Sequence, residues 1–315
     1  MGNVDLSVII PSKNNKTKTA EVIRSIADSV SELEVEFIVI DMNSTDNSVI
    51  SALNEIKTRK LRGCVIQSGG STVSSALNTG IYKSDGKYIT FVYPNQLYKD
   101  YLRDYFNGIE ENNADFIFSV PYSDKEKTDI VNCGLDHISG TDLIVGLVRS
   151  IVNVDFAAVM IRREYLLKNY IKFYDECDCG YAEAFVYNML LFSPKIAYAD
   201  IKLCRDYVDS MAKDDNASNN TCFDRIDAML KVYDEILISH HDNQKLTDIF
   251  EYNKLPSVIM AAVDILLKEN FSYSAIKNSL RLKHYDEYLR ISRKTPSKLR
   301  KKIIKWKLIP WFYKP

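Results

Sequence analysis

No stretch of this 315-residue chain is apolar enough to cross a bilayer. Its best run, residues 258–267, is ten long and contains Asp264, about half of the ~20 residues a spanning helix needs. A charged-then-apolar leader is also missing, since a strand-like run begins at Leu6. Cysteine is sparse and unpaired in pattern: Cys64, Cys133, Cys177, Cys179, Cys204 and Cys222 are scattered, and Cys177-Asp178-Cys179 lacks the two-residue spacer of a zinc or redox pair. Reduced, structural thiols in a cytoplasmic protein are the expectation. Histidine adds little, because His240-His241-Asp242 falls at a helix end, where a cation suits the free carbonyls. An excess of either charge is missing too, with 41 Lys/Arg against 42 Asp/Glu and a net of −1. That balance speaks against a nucleic-acid-binding core. It conceals one asymmetry: residues 288–315 hold ten Lys/Arg and no acid, leaving 31 basic against 42 acidic side chains, −11, in residues 1–287. Such a split marks a basic tail with its own partner.

What is present is a regular alternation. Residues 6–10, 36–40, 64–67, 88–92 and 116–119 are short runs rich in Val, Ile and Phe, the pattern of buried strands. Between them lie helical stretches. Val22, Ile23, Ile26, Ala27 and Val30 recur at three- and four-residue steps, and residues 47–57 follow a Ser44-Thr45-Asp46 turn that can cap them. Strand–helix alternation at this spacing predicts an α/β fold, a doubly wound, mostly parallel sheet. Ligands of such sheets sit outside the C-terminal strand ends. That rule gathers residues 11–14, 41–46, 69–72 and 93–96 around one crevice. From 221 to 284 the pattern turns helical, with Ile226, Met229, Leu230, Tyr233, Ile236 and Leu237 on one stripe. The expected organisation is a sheet domain over 1–205, a linker over 206–220, a helical extension over 221–287 and a basic amphipathic tail over 288–315.

Four ordered segments carry a resemblance. Leu6-Ser7-Val8-Ile9-Ile10-Pro11-Ser12-Lys13-Asn14 resembles the opening strand and turn of family 2 glycosyltransferases with the GT-A fold. Glu36-Phe37-Ile38-Val39-Ile40-Asp41-Met42-Asn43-Ser44-Thr45-Asp46 is similar to their second strand and its Asp-Asp-Gly-Ser-Thr-Asp turn. Ser75-Ala76-Leu77-Asn78-Thr79-Gly80-Ile81 and Gly86-Lys87-Tyr88-Ile89-Thr90-Phe91 resemble the segment leading into the metal-binding strand. The resemblance implies a GT-A (nucleotide-diphospho-sugar transferase) fold with a helical C-terminal extension. Its crevice would bind a nucleotide-diphospho sugar for transfer to a growing surface glycan. The nucleotide-binding set it implies is Pro11, Ser12, Lys13, Asp41, Asn43, Gly70, Asn78, Tyr93 and Asn95. Asp41 would accept from the base or ribose, and for Asn78 packing against the sheet is an equal alternative.

The departures from that family bear on activity. Its Asp-x-Asp falls on Tyr93-Pro94-Asn95, so the carboxylates for the usual Mn or Mg cofactor are absent and no cofactor is certain. The second Asp of the nucleotide turn is Met42. In Tyr181-Ala182-Glu183-Ala184-Phe185 the acidic base is replaced by Ala184, which leaves Glu183 as the remaining catalytic candidate, with Asp175, Glu176 and Asp178 nearby in sequence. A neutral crevice with Lys13 at its edge suggests a diphosphate held without a cation, by an ammonium and helix N-termini. Two functions stay open: an atypical transferase, or a catalytically inactive pseudo-glycosyltransferase that partners an active one. The tail, residues 297–313, mixes six cations with Trp306, Trp311 and aliphatic residues. This composition suits an anionic membrane surface, both tryptophans at headgroup depth, and a peripheral location at the inner face of the plasma membrane near a lipid-linked or glycan acceptor. A helix packed on the protein with a solvated basic face is the alternative.

Overall fold

A computed structural model of the chain describes residues 4–69, 72–94, 101–119, 138–152, 154, 159–199 and 221–313. Among them, seven strands form one sheet in the order β3-β2-β1-β4-β6-β5-β7. β1 (Leu6–Ser12), β2 (Val35–Asp41), β3 (Arg62–Gln67) and β4 (Tyr88–Phe91) run parallel. β6 (Val159–Arg162) pairs antiparallel with β4 and with β5 (Phe116–Phe118), and β7 (Ile196–Tyr198) lies parallel to β5. The expected mostly parallel, doubly wound sheet is therefore present.

β1 is apolar apart from Ser7 and Ser12 because helices cover both of its faces, leaving all seven residues buried. α1 (Lys16–Ser29) turns Val22, Ile23 and Ile26 to the sheet, and α2 (Ser48–Thr58) adds Ala52 and Ile56. On the other face α3 (Val73–Lys83), capped by the Thr72 hydroxyl accepting from Ser75 N–H, lies close against β1. Gly80 permits that approach, since a Cβ there would sit 2.3 Å from Ile9 Cγ2. α4 (Tyr101–Glu111), α5 (Gly140–Val148) and α6 (Arg163–Lys168) complete the cover. α7 (Tyr181–Leu191) is apolar almost all round and buried accordingly.

The helical C-terminal part comprises α8 (Asp224–Ser239), α9 (Gln244–Ile249), a π-helical turn (Phe250–Lys254), α10 (Leu255–Lys268), α11 (Tyr273–Leu282) and α12 (Ser297–Leu308). It packs through α7 onto the sheet. One buried cluster runs from Ile9, Leu77 and Phe91 through Phe185 and Met189 to Met229, Ile259, Ile303 and Trp306. Asp264, the acid inside the apolar run of α10, takes both the Lys302 ammonium and the Tyr313 hydroxyl. The tail thus corrects one expectation. Trp306 is buried, its ring 5.8 Å from that of Tyr313, because α12 lays Ile303 and Trp306 on α10. Trp311 remains 63% exposed. The expected linker, 206–220, lies outside the described residues.

Candidate nucleotide and acceptor site

Strand order reverses between β1 and β4, the place where sheets of this kind open to ligands, and the C-terminal strand ends there lie in a row. Ser12 is level with Asp41 in the β1–β2 ladder, and Gln67 is level with Asp41 on the far side. Val92 N–H still bonds the Ile9 carbonyl at 2.9 Å, which carries Tyr93 to the level of Pro11. Two turns above this row are laced together. Asn14, at φ +51°, accepts from Thr45 N–H at 2.9 Å, while its own N–H donates to the Ser44 hydroxyl at 2.9 Å. Asp46 accepts from the N–H groups of Ser48 and Lys16, so this turn acid serves the first turns of α2 and α1.

Asp41 is the unusual member of the row. It is 1% exposed; Oδ2 accepts from Ser44 N–H at 3.2 Å, and Oδ1 is buried without a hydrogen-bond partner. Buried carboxylate oxygens are almost always bonded. An acceptor left open at a switch point is suited to an N–H or O–H donor from a ligand. Pro11 and Ser12 are buried beside it, the Ser12 hydroxyl 2.9 Å from that of Thr19. Lys13 and Asn43 are exposed, Asn43 with φ +56°. Tyr93 is buried at the end of β4. Gly70 and Asn95 lie outside the described residues.

Asn78 faces the protein. Its amide nitrogen donates to the Phe173 carbonyl at 2.9 Å and to Asp175 Oδ1 at 2.7 Å, and its oxygen accepts from Phe173 N–H. Together with Thr72 on the Asp175 carbonyl and Ser74 on the Cys177 carbonyl, it clamps the 173–177 loop to α3. The three acids of that loop and its continuation, Asp175, Glu176 and Asp178, are exposed.

Met42 and Ala184, positions where the resemblance implies acids, are absorbed into apolar packing. Met42 packs with Ile38, Ile40 and Ala76, and Ala184 is fully buried in the main core. Glu183, one residue earlier, sits inside a cluster of charges. Lys254 and Tyr187 both bond Oε1, at 2.9 Å for the tyrosine hydroxyl, and Arg225 Nη2 lies 3.1 Å from Oε2. Burial alone would push the carboxyl up, but Lys254 and Arg225 bring it down to about 2. Burial also lowers Lys254 from its ordinary value, against the pull of Glu183. A carboxylate held in this way takes up no proton near neutral pH, so the environment does not suit a general base. Of its partners only Tyr187, four residues on, was visible in the sequence as a neighbour. Arg225 and Lys254 arrive from α8 and from the π-helical turn, a feature often found at functional positions.

A divalent cation at the end of β4 would need anionic oxygen. Tyr93 and Pro94 offer none, Asn95 is neutral, and Asp41 lies two strands away, about 10 Å by strand spacing. Among the described residues no three His, Cys, Asp or Glu side chains gather into a metal-holding group. Among the described residues the donor set at the end of β4 does not fit a cation.

Comparison with known proteins gives the family and the fold. The sequence model of the family described as Glycosyl transferase family 2 matches residues 7–168. The chain is 33% identical over 118 residues to the poly(ribitol-phosphate) β-N-acetylglucosaminyltransferase TarP of Staphylococcus aureus, covering 36% of this chain and 35% of TarP. The match thus spans about a third of that relative's length. The crystal structure of S. aureus TarS residues 1–349 in complex with UDP-GlcNAc superposes with a TM-score of 0.66 at 17% identity, over 96% of this chain and 87% of that one. The mannosyltransferase PcManGT of Pyrobaculum calidifontis, in complex with GDP-Man and Mn2+, gives 0.57 at 13% identity, over 100% and 89%. At these identities both likenesses are of fold.

Proposed function

Because this chain belongs to glycosyl transferase family 2, we propose that it binds a nucleotide-diphospho sugar across the ends of β1, β2 and β4. In this reading it serves assembly of a cell-surface glycan at the cytoplasmic face of the membrane. The observation that carries the proposal is the open Oδ1 of buried Asp41, which would accept from the base or ribose. The diphosphate would be met by the Lys13 ammonium and by helix N-termini in place of a cation. The relatives supply the probes: UDP-GlcNAc, bound in the TarS structure, as donor, and the poly(ribitol phosphate) of TarP's name as acceptor. Calorimetric titration with UDP-GlcNAc and UDP, with and without EDTA, tests the reading. Saturable, chelator-insensitive binding is expected; absence of binding refutes the donor site, and binding abolished by EDTA refutes its metal independence.

A second reading, a catalytically inactive partner of another glycosyltransferase, is favoured by Ala184 in the core and by the charge-locked Glu183. UDP release from UDP-GlcNAc in the presence of poly(ribitol phosphate), above the uncatalysed rate, would eliminate it. Association with the membrane surface is part of the proposal. No described helix is long and apolar enough to cross a membrane, but the outer face of α12 carries exposed Lys298, Lys301 and Lys305 beside Ile304 and Leu308. Co-sedimentation with phosphatidylglycerol vesicles, and not with phosphatidylcholine vesicles, is the expected result.

A further inference from the structure

A cavity of about 290 Å³ opens between α11, the 3-10 turn Tyr285–Tyr288 and α12. It stands at the small end of the roughly 300–1,000 Å³ of ligand sites, room enough for a headgroup. Three cations line it, Lys277, Arg281 and Lys307, against one acid, Asp286. Leu280, Leu289 and Trp306, all buried, form its apolar floor.

Among the described residues the cations of this cavity form no ion pair. Neighbouring cations do: Lys302 pairs with Asp264, Lys294 with Asp248, Arg290 with Glu251 and Lys283 with Asp227. Lys277, Arg281 and Lys307 have no carboxylate partner among the described residues, although Asp286 lines the same space. Lys277 instead places its ammonium 5.9 Å from the centre of the Trp306 ring. Converging unpaired cations over a hydrocarbon floor favour a ligand that is anionic at one end and apolar at the other. The rim has the matching character. Leu282, next to Arg281, is 82% exposed, and Leu308, next to Lys307, is 70% exposed. Large exposed apolar side chains beside lysines suit the interfacial layer of a bilayer. A free phosphate would use neither the floor nor the rim.

We propose that this cavity binds the phosphate ester headgroup of an anionic lipid. Lys277, Arg281 and Lys307 take the phosphate, and Trp306, Leu280 and Leu289 take the glycerol and adjoining carbons. The inference rests on the reading of the α12 face as membrane-directed, and its test uses lipid monomers, so that its failure is distinct from a failure of vesicle binding.

The chain has two tryptophans, so the Trp311→Phe variant of the full chain leaves Trp306 as the sole indole reporter. It is titrated with dihexanoyl phosphatidylglycerol below its micelle concentration, with dihexanoyl phosphatidylcholine and with inorganic phosphate. A saturable change in Trp306 emission is expected with phosphatidylglycerol, weaker by about tenfold or more with the other two. Lys277→Gln, Arg281→Gln and Lys307→Gln together should weaken binding by about tenfold or more, the scale of a lost charge-assisted hydrogen bond. Lys298→Gln, Lys301→Gln and Lys305→Gln, which remove equal charge outside the cavity, should leave it in place. Asp286→Asn should tighten binding, a gain that a misfolded protein would not imitate. Equal losses in the two triple variants, inorganic phosphate binding as tightly as the lipid, or no tightening in Asp286→Asn would each overturn the proposal.

Discussion

Replacing Glu183 with glutamine removes the one anion that two cations share. Its side chain is 15% exposed and that of Lys254 9%, with Arg225 at 29%. Glu183→Gln therefore leaves a nearly buried ammonium and a part-buried guanidinium facing each other across a neutral amide. Breaking a buried pair by removing one partner costs about 3–5 kcal/mol, a large share of the roughly 5–15 kcal/mol that holds a typical domain folded. The acid side of the stability profile gives a second value. The folded carboxyl sits at about 2 against an ordinary 4.5, a difference corresponding to about 3 kcal/mol. Because the folded value is the lower one, this stabilisation is complete above about 4.5 and is lost as pH falls towards 2. Urea unfolding of wild type and Glu183→Gln should be followed from pH 7 down to pH 3. At neutral pH the variant should be weaker by the amount above, and through the acid range the gap should narrow as wild type loses its share. Adding Lys254→Met to Glu183→Gln should recover part of the loss, because it removes the buried ammonium. Wild-type stability in Glu183→Gln at neutral pH, or a gap that does not narrow in acid, would refute the structural role. A stable Glu183→Gln that loses UDP release would reassign the residue to catalysis.

Asp41→Asn keeps the shape of the nucleotide turn but removes its charge; UDP affinity should fall by about tenfold, the scale of a charge-assisted hydrogen bond, with the melting temperature unchanged. Ala184→Asp, the simplest restoration of the family's acid, should lower the melting temperature without raising UDP release, since that side chain would enter an apolar core unpaired. Trp306→Ala should cost about 3–5 kcal/mol in urea unfolding, because α12 is part of the core; a near-neutral result would mean that the tail is only loosely attached.

Strands and helices were legible because each carries its period locally. β1 centres on Val8-Ile9-Ile10 and α1 repeats at three and four residues, so the expected segments coincide with the observed elements apart from shifts of a few residues at their ends. The turn chemistry was legible for the same reason: Asp41, Asn43, Ser44 and Asp46 lie within six residues, and three of them bond across that turn. The tail was harder. Its composition suits a bilayer surface, but composition does not reveal that Asp264, in an apolar run of another helix, waits for Lys302 and Tyr313. Trp306 was accordingly expected at a headgroup layer and is found in the core.

By itself the amino-acid sequence determined the doubly wound sheet and the family likeness, and it carries no acid at Tyr93-Pro94-Asn95; all of these follow from residue types at short spacing. Only tertiary structure decided what the remaining charges do. Glu183 is locked by cations from 42 and 71 positions away, Asn78 braces a loop 95 residues on, and Lys307 meets Lys277 and Arg281 around one cavity. The reason is physical: a charge's state depends on which others share its low-dielectric surroundings, and those neighbours are set by how helices pack, not by their order along the chain.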